Sequence, residues 1–211
     1  MQIYGMGLSR SFRTLWAAEE AGVDYDYIEM AFGSSGKNGT RSEHYKSLNP
    51  QGKIPTLTDG DLVISESAAI VNYLAAKAPE RQLMPADGTA ERARYDQMCF
   101  FILSELEQPL WTTGKHRFAI PEQYRIPEII SKTAPFEFAK AQSALLIIKG
   151  DNKYAAGDQF TMADILLAQT LGWAQRFEFS VDASLVAYKD AMNQRDAFAR
   201  AMKAAGKSIT D

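Results

Sequence analysis

Residues 49–74, NPQGKIPTLTDGDLVISESAAIVNYL, constrain this chain more than any other stretch. They read as a loop, a strand opened by Pro, a tight turn, a second strand, and a helix whose start carries Glu66 and Ser67. Pro removes a backbone donor and is tolerated in a sheet at a first or edge position, which puts Ile54-Pro55 at the head of a strand. An X-Pro bond adopts the cis form at a penalty of only about 0.5–1 kcal/mol. A cis bond here would turn the N–H and C=O of Ile54 outward, where another extended backbone could pair with them. Asp59-Gly60 is a hairpin turn pair between two short apolar runs, 56–58 and 62–64. Ser65-Glu66-Ser67 opens a helix whose Ala69, Ile70, Tyr73 and Leu74 follow helical spacing. A helix start presents free N–H groups and a partial positive charge, and both attract carboxylates. Together the pieces describe a place that grips a peptide-like anion.

Composition narrows the class. A chain of 211 residues makes one large domain or two small ones, with enough core to fold independently. A net charge of −3 argues against nucleic acid or an anionic membrane as the main partner. The single cysteine, Cys99, allows no internal disulfide and suits a reducing compartment. Met1 leads straight into Gln2-Ile3-Tyr4, without the basic and apolar regions of a signal peptide. No apolar run approaches the length of a membrane span. The expectation is a soluble, cytoplasmic globular protein.

The first third of the chain mixes strand and helix signals, and the rest is almost wholly helical. Gln2–Gly5 reads as a strand, Ser11–Ala21 as a helix closed by Gly22, and 25–30 as a second strand. Residues 31–40, rich in Gly and Ser, read as a mobile loop, and 41–48 as a short helix. With the hairpin and the Ser67 helix, the order is β-α-β-α-β-β-α, which fits a mixed four-stranded sheet with helices on its faces. Residues 79–87 are the expected linker between a first domain at 1–78 and an all-helical domain at 88–211. Long helical patterns cover 90–110, about 135–149, 162–177 and 184–205. In FTMADI, Thr161 as N-cap and Asp164 three residues later form a capping box with Asp in place of Glu.

The Ser/Arg helix start, KIPTL, ESAAI, the linker position and FTMADI, in this order and spacing, resemble the cytosolic glutathione transferase family. The resemblance spans nearly the whole chain. It implies a thioredoxin-like N-terminal domain, an all-helical C-terminal domain, and a homodimer. It also implies glutathione as co-substrate, no metal, and a small hydrophobic electrophile as second substrate, in detoxification. In the family, the residue before the cis proline pairs with the cysteinyl backbone of glutathione, which falls on Ile54 with Pro55 holding the geometry. The Glu-Ser pair binds the γ-glutamyl ammonium and carboxylate, which falls on Glu66 and Ser67. Lys53 and, more weakly, Gln51 are placed for the glycyl carboxylate. The physics agrees: a carboxylate pairs with an ammonium, while a hydroxyl and helix N–H groups receive a carboxylate.

The nucleophile in such chemistry is a thiolate, and a free thiol near pKa ~8.5 is only a few per cent ionised at neutral pH. Bringing it down to about 6.5 requires about 2.7 kcal/mol of preferential thiolate stabilisation. A hydroxyl hydrogen bond and a helix N-terminus supply energies of that size. The loop Met6-Gly7-Leu8-Ser9-Arg10-Ser11 lies where such groups belong. Ser9 resembles the catalytic serine of serine-type members. Ser11 is its rival, although it serves equally as a helix cap. Arg10 stands at or beside the position of the reactive cysteine in bacterial cysteine-type members, and reads either as charge support for the thiolate or as a solvated group. That departure, and Phe100, Glu107 and Gln108 on the first helix of the second domain, argue against the cysteine-type beta class.

Other constellations carry less. Gly33–Lys37 lacks the first glycine and the following Ser or Thr of a phosphate loop. His44 and His116 have no metal-ligand spacing. Cys99 in an apolar helix reads as core. Trp111 and His116 are the candidate walls of the electrophile pocket. The expected function is activation of the glutathione thiol for attack on an electrophile, with glutathione-dependent peroxidase, dehalogenase or isomerase activity within the same scaffold. The alternative is a non-catalytic glutathione-transferase-fold protein for ligand binding, regulation or interaction.

Overall fold

The computed structural model describes residues 1–206; positions 207–211, the end of the expected helical domain, lie outside the described residues. The chain forms two compact units. One comprises Met1–Met84 together with the chain from Asn193, and the other Pro85–Met192.

In the first unit, β1 (Gln2–Gly5), α1 (Ser11–Ala21), β2 (Asp26–Glu29), α2 (Glu43–Leu48), β3 (Thr56–Asp59), β4 (Leu62–Ser65) and α3 (Ser67–Lys77) follow the expected β-α-β-α-β-β-α order. The four strands lie in the order β2-β1-β3-β4. β1 runs parallel to β2 and antiparallel to β3, and β3 is antiparallel to β4. This is the thioredoxin-like mixed sheet. Asp59 pairs with Leu62, so the two turn residues are Gly60 and Asp61, one position beyond the pair expected from the sequence. Gly60 supplies the φ of +59° that the first turn position takes.

α1 is buried at every position from 11 to 18, including Arg13. It packs against α3 and against the final helix, α9 (Asp196–Ala204). Loop 31–40 differs from the mobile loop expected of its Gly and Ser content. Ala31 N–H donates to Asn38 C=O (2.8 Å), Thr40 N–H to Ala31 C=O (3.1 Å), and Gly33 N–H to the buried Thr40 hydroxyl (2.9 Å). The glycines here permit close backbone approach, and hydrogen bonds then fix it.

The second unit is helical: α4 (Ala90–Phe101), α5 (Gln108–Gly114), α6 (Ala134–Lys149), α7 (Met162–Arg176) and α8 (Ala183–Asn193). The continuous helix expected over 90–110 is interrupted by a wide π-type turn at Ile102–Leu106, where Glu107 N–H donates to Ile102 C=O at 2.8 Å. Pro109, in the first turn of α5, explains the break, because its ring cannot continue an unbroken ladder. The helix expected over 184–205 is likewise two helices. α8 buries Leu185, Tyr188 and Met192, whereas α9 buries Ala197, Ala201 and Met202 and belongs to the first unit. The sequence division had placed all of 88–211 in the helical domain. Arg195, in extended conformation, separates the two faces.

The capping box is present at the start of α7. The buried Asp164 carboxylate accepts from Thr161 N–H (2.7 Å), Ala155 N–H (2.8 Å), the Thr161 hydroxyl (3.2 Å) and the Tyr188 hydroxyl (2.5 Å). Burial pushes this carboxyl upward, and the four donors oppose that shift. Burial also pushes the Cys99 thiol up to about 12, so it stays protonated. Among the described residues, no helix is long and apolar enough to cross a membrane.

Asp164→Ala leaves several buried donors without their acceptor and is expected to destabilise the protein by on the order of 3 kcal/mol. Urea denaturation followed by circular dichroism measures this; a loss under about 0.5 kcal/mol would show the box to be dispensable.

Candidate functional site

Three segments of the first unit carry the expected site residues: the loop from β1 into α1, the loop from α2 into β3, and the start of α3. Each is held by specific bonds.

In the first loop, Ser11 is fully buried and its Oγ accepts from Met6 N–H (3.2 Å) and from the Ser9 hydroxyl (3.0 Å). Ser9 Oγ in turn accepts Ser11 N–H at 3.2 Å, and Ser9 C=O accepts Phe12 N–H at 2.9 Å. Arg10, rather than Ser11, is the N-cap residue of α1. Ser9 is half-buried and thus keeps one side open, while Ser11 ties the loop together from beneath. Gly5 makes this packing possible: a Cβ there would lie 2.5 Å from Ser11 Cβ. Tyr27 on β2 adds a further tie, its hydroxyl accepting Gly7 N–H at 3.1 Å. Burial, then Glu29, push the Tyr27 phenol up to about 12, and the Gly7 bond opposes them.

In the second loop, the Ile54-Pro55 bond is cis. Thr56, one residue later, opens β3, and Ile54 itself is half-buried. The approach to it is braced by two side chains of the α2 end. Tyr45 donates its hydroxyl to Lys53 C=O (2.6 Å) and lies 2.9 Å from Thr56 Oγ1. Asn49 Nδ2 donates to the same two oxygens, at 2.9 and 3.2 Å, and its Oδ1 accepts Gln51 N–H at 3.1 Å. Burial raises the Tyr45 phenol, which keeps the proton it donates. The side chains of Gln51 and Lys53 are exposed beside this braced backbone.

At the third segment, Ser67 is the first residue of α3 and Glu66 its N-cap, with φ +68° and ψ 112°. A non-glycine residue held at positive φ costs about 1–3 kcal/mol and persists where the surroundings over-determine it. Ser67 Oγ accepts from Arg13 Nη1 at 3.2 Å. Arginine carries only donors, so the Ser67 hydroxyl hydrogen is left to point elsewhere. Glu66 is exposed and Ser67 buried. α1 therefore reaches two segments at once, with Ser9 and Ser11 at its start and Arg13 one half-turn on.

Trp111 and His116 lie in the second unit, on α5 and on the π-type turn Lys115–Ala119. Both are half-buried, and His116 Nδ1 accepts Ile126 N–H at 3.0 Å. That bond leaves the imidazole with one ring nitrogen for other partners.

Sequence reasoning missed Arg13, Tyr45, Asn49 and Tyr27. A lone arginine within the apolar first helix, and Tyr45 and Asn49 at i, i+4 before Ile54-Pro55, were the available signals.

A sequence profile for the glutathione S-transferase N-terminal domain matches residues 1–76, and one for its C-terminal domain matches residues 118–196. Glutathione S-transferase Z1 of Arabidopsis thaliana is 34% identical over 188 residues, covering 86% of this chain and 81% of that protein. The chain belongs to the glutathione S-transferase family. Among solved structures, the ternary complex of BphK, a bacterial glutathione S-transferase, matches with a TM-score of 0.85 at 26% identity, covering 98% of this chain and 100% of that one. A sphingomonad glutathione S-transferase complexed with glutathione matches with a TM-score of 0.81 at 26% identity, covering 99% and 100%. The two profiles of this glutathione S-transferase chain fall on opposite sides of 79–87.

Removing the Tyr45 hydroxyl takes a donor from Lys53 C=O and a hydrogen-bond partner from Thr56 Oγ1. Tyr45→Phe is expected to cost about 1–2 kcal/mol and to speed amide exchange at Gln51 and Gly52, whose N–H groups are held by Asn49, relative to the rest of the unit. Uniform exchange across the unit would show that Asn49 alone suffices.

Proposed function

We propose that this glutathione S-transferase binds glutathione on the three segments described and ionises its thiol for attack on a small hydrophobic electrophile. The observation that carries the reading is the head of α3, where Glu66 keeps a strained backbone and Ser67 is held by a buried arginine. In this reading Glu66 pairs with the γ-glutamyl ammonium, while Ser67 and the free N–H groups of α3 take the γ-glutamyl carboxylate. The backbone of Ile54, beside Pro55, pairs with the cysteinyl residue, and Lys53 and Gln51 meet the glycyl carboxylate.

Ser9 is the proposed thiolate donor. Its hydroxyl already has a rotor position toward Ser11, and turning it to a sulfur leaves Ser11 Oγ still holding Met6 N–H. Ser11 is then the residue that sets Ser9, and Arg10 adds positive charge at the helix start. One charge-assisted hydrogen bond contributes about 1.5–3 kcal/mol and a helix N-terminus about 0.3–1 kcal/mol, which together approach the 2.7 kcal/mol or so needed for a thiol near 6.5. On the helical side, Trp111 and His116 are the proposed walls for the electrophile. Serine-type activation, a division near 79–87, a homodimer and a cytoplasmic setting belong to the same proposal.

Titrating the absorbance of bound glutathione thiolate, with binding measured alongside, tests the proposal. Cys99, held protonated, does not interfere across neutral pH. The expected result is a bound thiol ionising well below ~8.5. Binding without that shift would favour a ligand-carrying role, and no binding would sink the site.

Two variants separate the roles. Ser67→Ala should weaken glutathione affinity by roughly 10–100-fold, measured by calorimetry at a temperature where the variant is fully folded, since Arg13 also loses an acceptor. Ser9→Ala should return the bound thiol toward ~8.5 and largely preserve affinity. If Ser11→Ala alone does so while Ser9→Ala does not, the donor is Ser11.

A further inference from the structure

The last helix is fastened onto α1 by two arginines with a phenyl ring between them. Arg195, just before α9, donates to both carboxylate oxygens of Glu20, from Nε to Oε1 and from Nη2 to Oε2 at 2.8 Å. Glu20 also accepts Trp16 Nε1–H at 3.1 Å. Arg200 donates from Nε to Glu19 Oε2 at 2.7 Å and from Nη2 to Glu19 C=O at 3.0 Å. Between them in sequence, Phe198 meets Phe12 and Trp16 edge to face, with ring centroids 5.3 and 5.0 Å apart.

Planar guanidinium forks impose geometry as well as attraction. Two of them, on adjacent carboxylates of one helix, set the height and rotation of a helix as short as α9. The Arg195–Glu20 pair is largely shielded, with Glu20 8% and Arg195 33% exposed, while the Arg200–Glu19 pair is more open; together they fix where the Phe198 ring sits. That ring rests on the one side chain placed between the arms of the site. Phe12 donates its N–H to Ser9 C=O at 2.9 Å. Ser11, before it, receives Met6 N–H and the Ser9 hydroxyl, and Arg13, after it, reaches Ser67.

We propose that Phe198 is a positioning residue for thiol activation: its ring seats Phe12, and through Phe12 the first turn of α1 holds Ser9 and Arg13 where glutathione needs them. The proposal rests on the glutathione reading above. It makes the C-terminal helix part of the glutathione site without touching glutathione. Small displacements suffice, because a misplacement of about 1 Å remote from the chemistry lowers rates by as much as ~100-fold.

The test compares Phe198→Ala and Phe198→Leu with Thr161→Ala, a capping-box change in the second unit that serves as the stability control. Each is assayed at a temperature where it is fully folded. The readouts are the bound-thiol titration, glutathione affinity, and amide exchange at Met6, Ser11 and Phe12. Phe198→Ala should lose about tenfold in bound thiolate fraction at neutral pH, with faster exchange at those three amides. Phe198→Leu should recover most of both, and Thr161→Ala should match wild type. A wild-type titration in Phe198→Ala, or an equal change in Thr161→Ala, overturns the proposal. Should Phe198→Ala not fold, Glu20→Gln, which keeps the ring and loosens the Arg195 fork, is expected to show the same changes in smaller degree, and wild-type behaviour there overturns it. If wild type itself shows no lowered thiol, the glutathione reading fails separately. Exchange then decides the coupling alone, since unchanged protection at Ser11 and Phe12 would overturn it.

Discussion

A guanidinium sealed inside the first unit is the constraint on which the site depends. Arg13 is fully buried on a helix whose neighbouring positions are all buried too. A buried charge deprived of its partners costs several kcal/mol, so the fold must bring hydrogen-bond acceptors to it. Ser67, at the start of α3, is one of them. The bond that satisfies the core is therefore the bond that orients the Ser67 hydroxyl, a candidate binding group. Sheet register supports the same join, because β3 and β4 deliver the chain to Glu66 directly after a short hairpin.

The three segments share a design in which a buried side chain fixes a more accessible group. Ser11 fixes Ser9, Tyr45 and Asn49 fix the backbone before Ile54, and Arg13 fixes Ser67. Groups arranged in advance lose little freedom when a ligand arrives, and that is worth more for catalysis than any single added contact. In the proposed thiol activation, one charge-assisted bond of about 1.5–3 kcal/mol spans the requirement of about 2.7 kcal/mol, and the start of α1, with Arg10 as its cap, adds to it.

Much of this was legible locally. The hairpin, the strand opened by Pro55, the Glu66-Ser67 helix start and the Thr161/Asp164 box each depend on residues within a few positions of one another, and each formed. Boundaries shifted where a local rule was outweighed. Pro109 opened a π-type turn inside one expected helix, and the tail of the chain split into α8 and α9 because its two halves bury different faces. The 31–40 loop looked mobile by composition, yet bonds to the backbone and hydroxyl of the buried Thr40 tie it down.

The sequence by itself determined the element order, the cis-proline strand head and the identity of the candidate binding residues, because these follow from backbone preferences and nearest neighbours in the chain. Tertiary structure decided the rest. It made Ser11 a support and left Ser9 open, it turned Arg13 inward to Ser67, and it drew α9 onto α1 through Glu19, Glu20 and Phe198. The Arg13–Ser67 bond and the contacts of α9 with α1 join positions at least 54 residues apart. No local propensity encodes which distant side chain will satisfy a buried charge; that is settled when the helices pack.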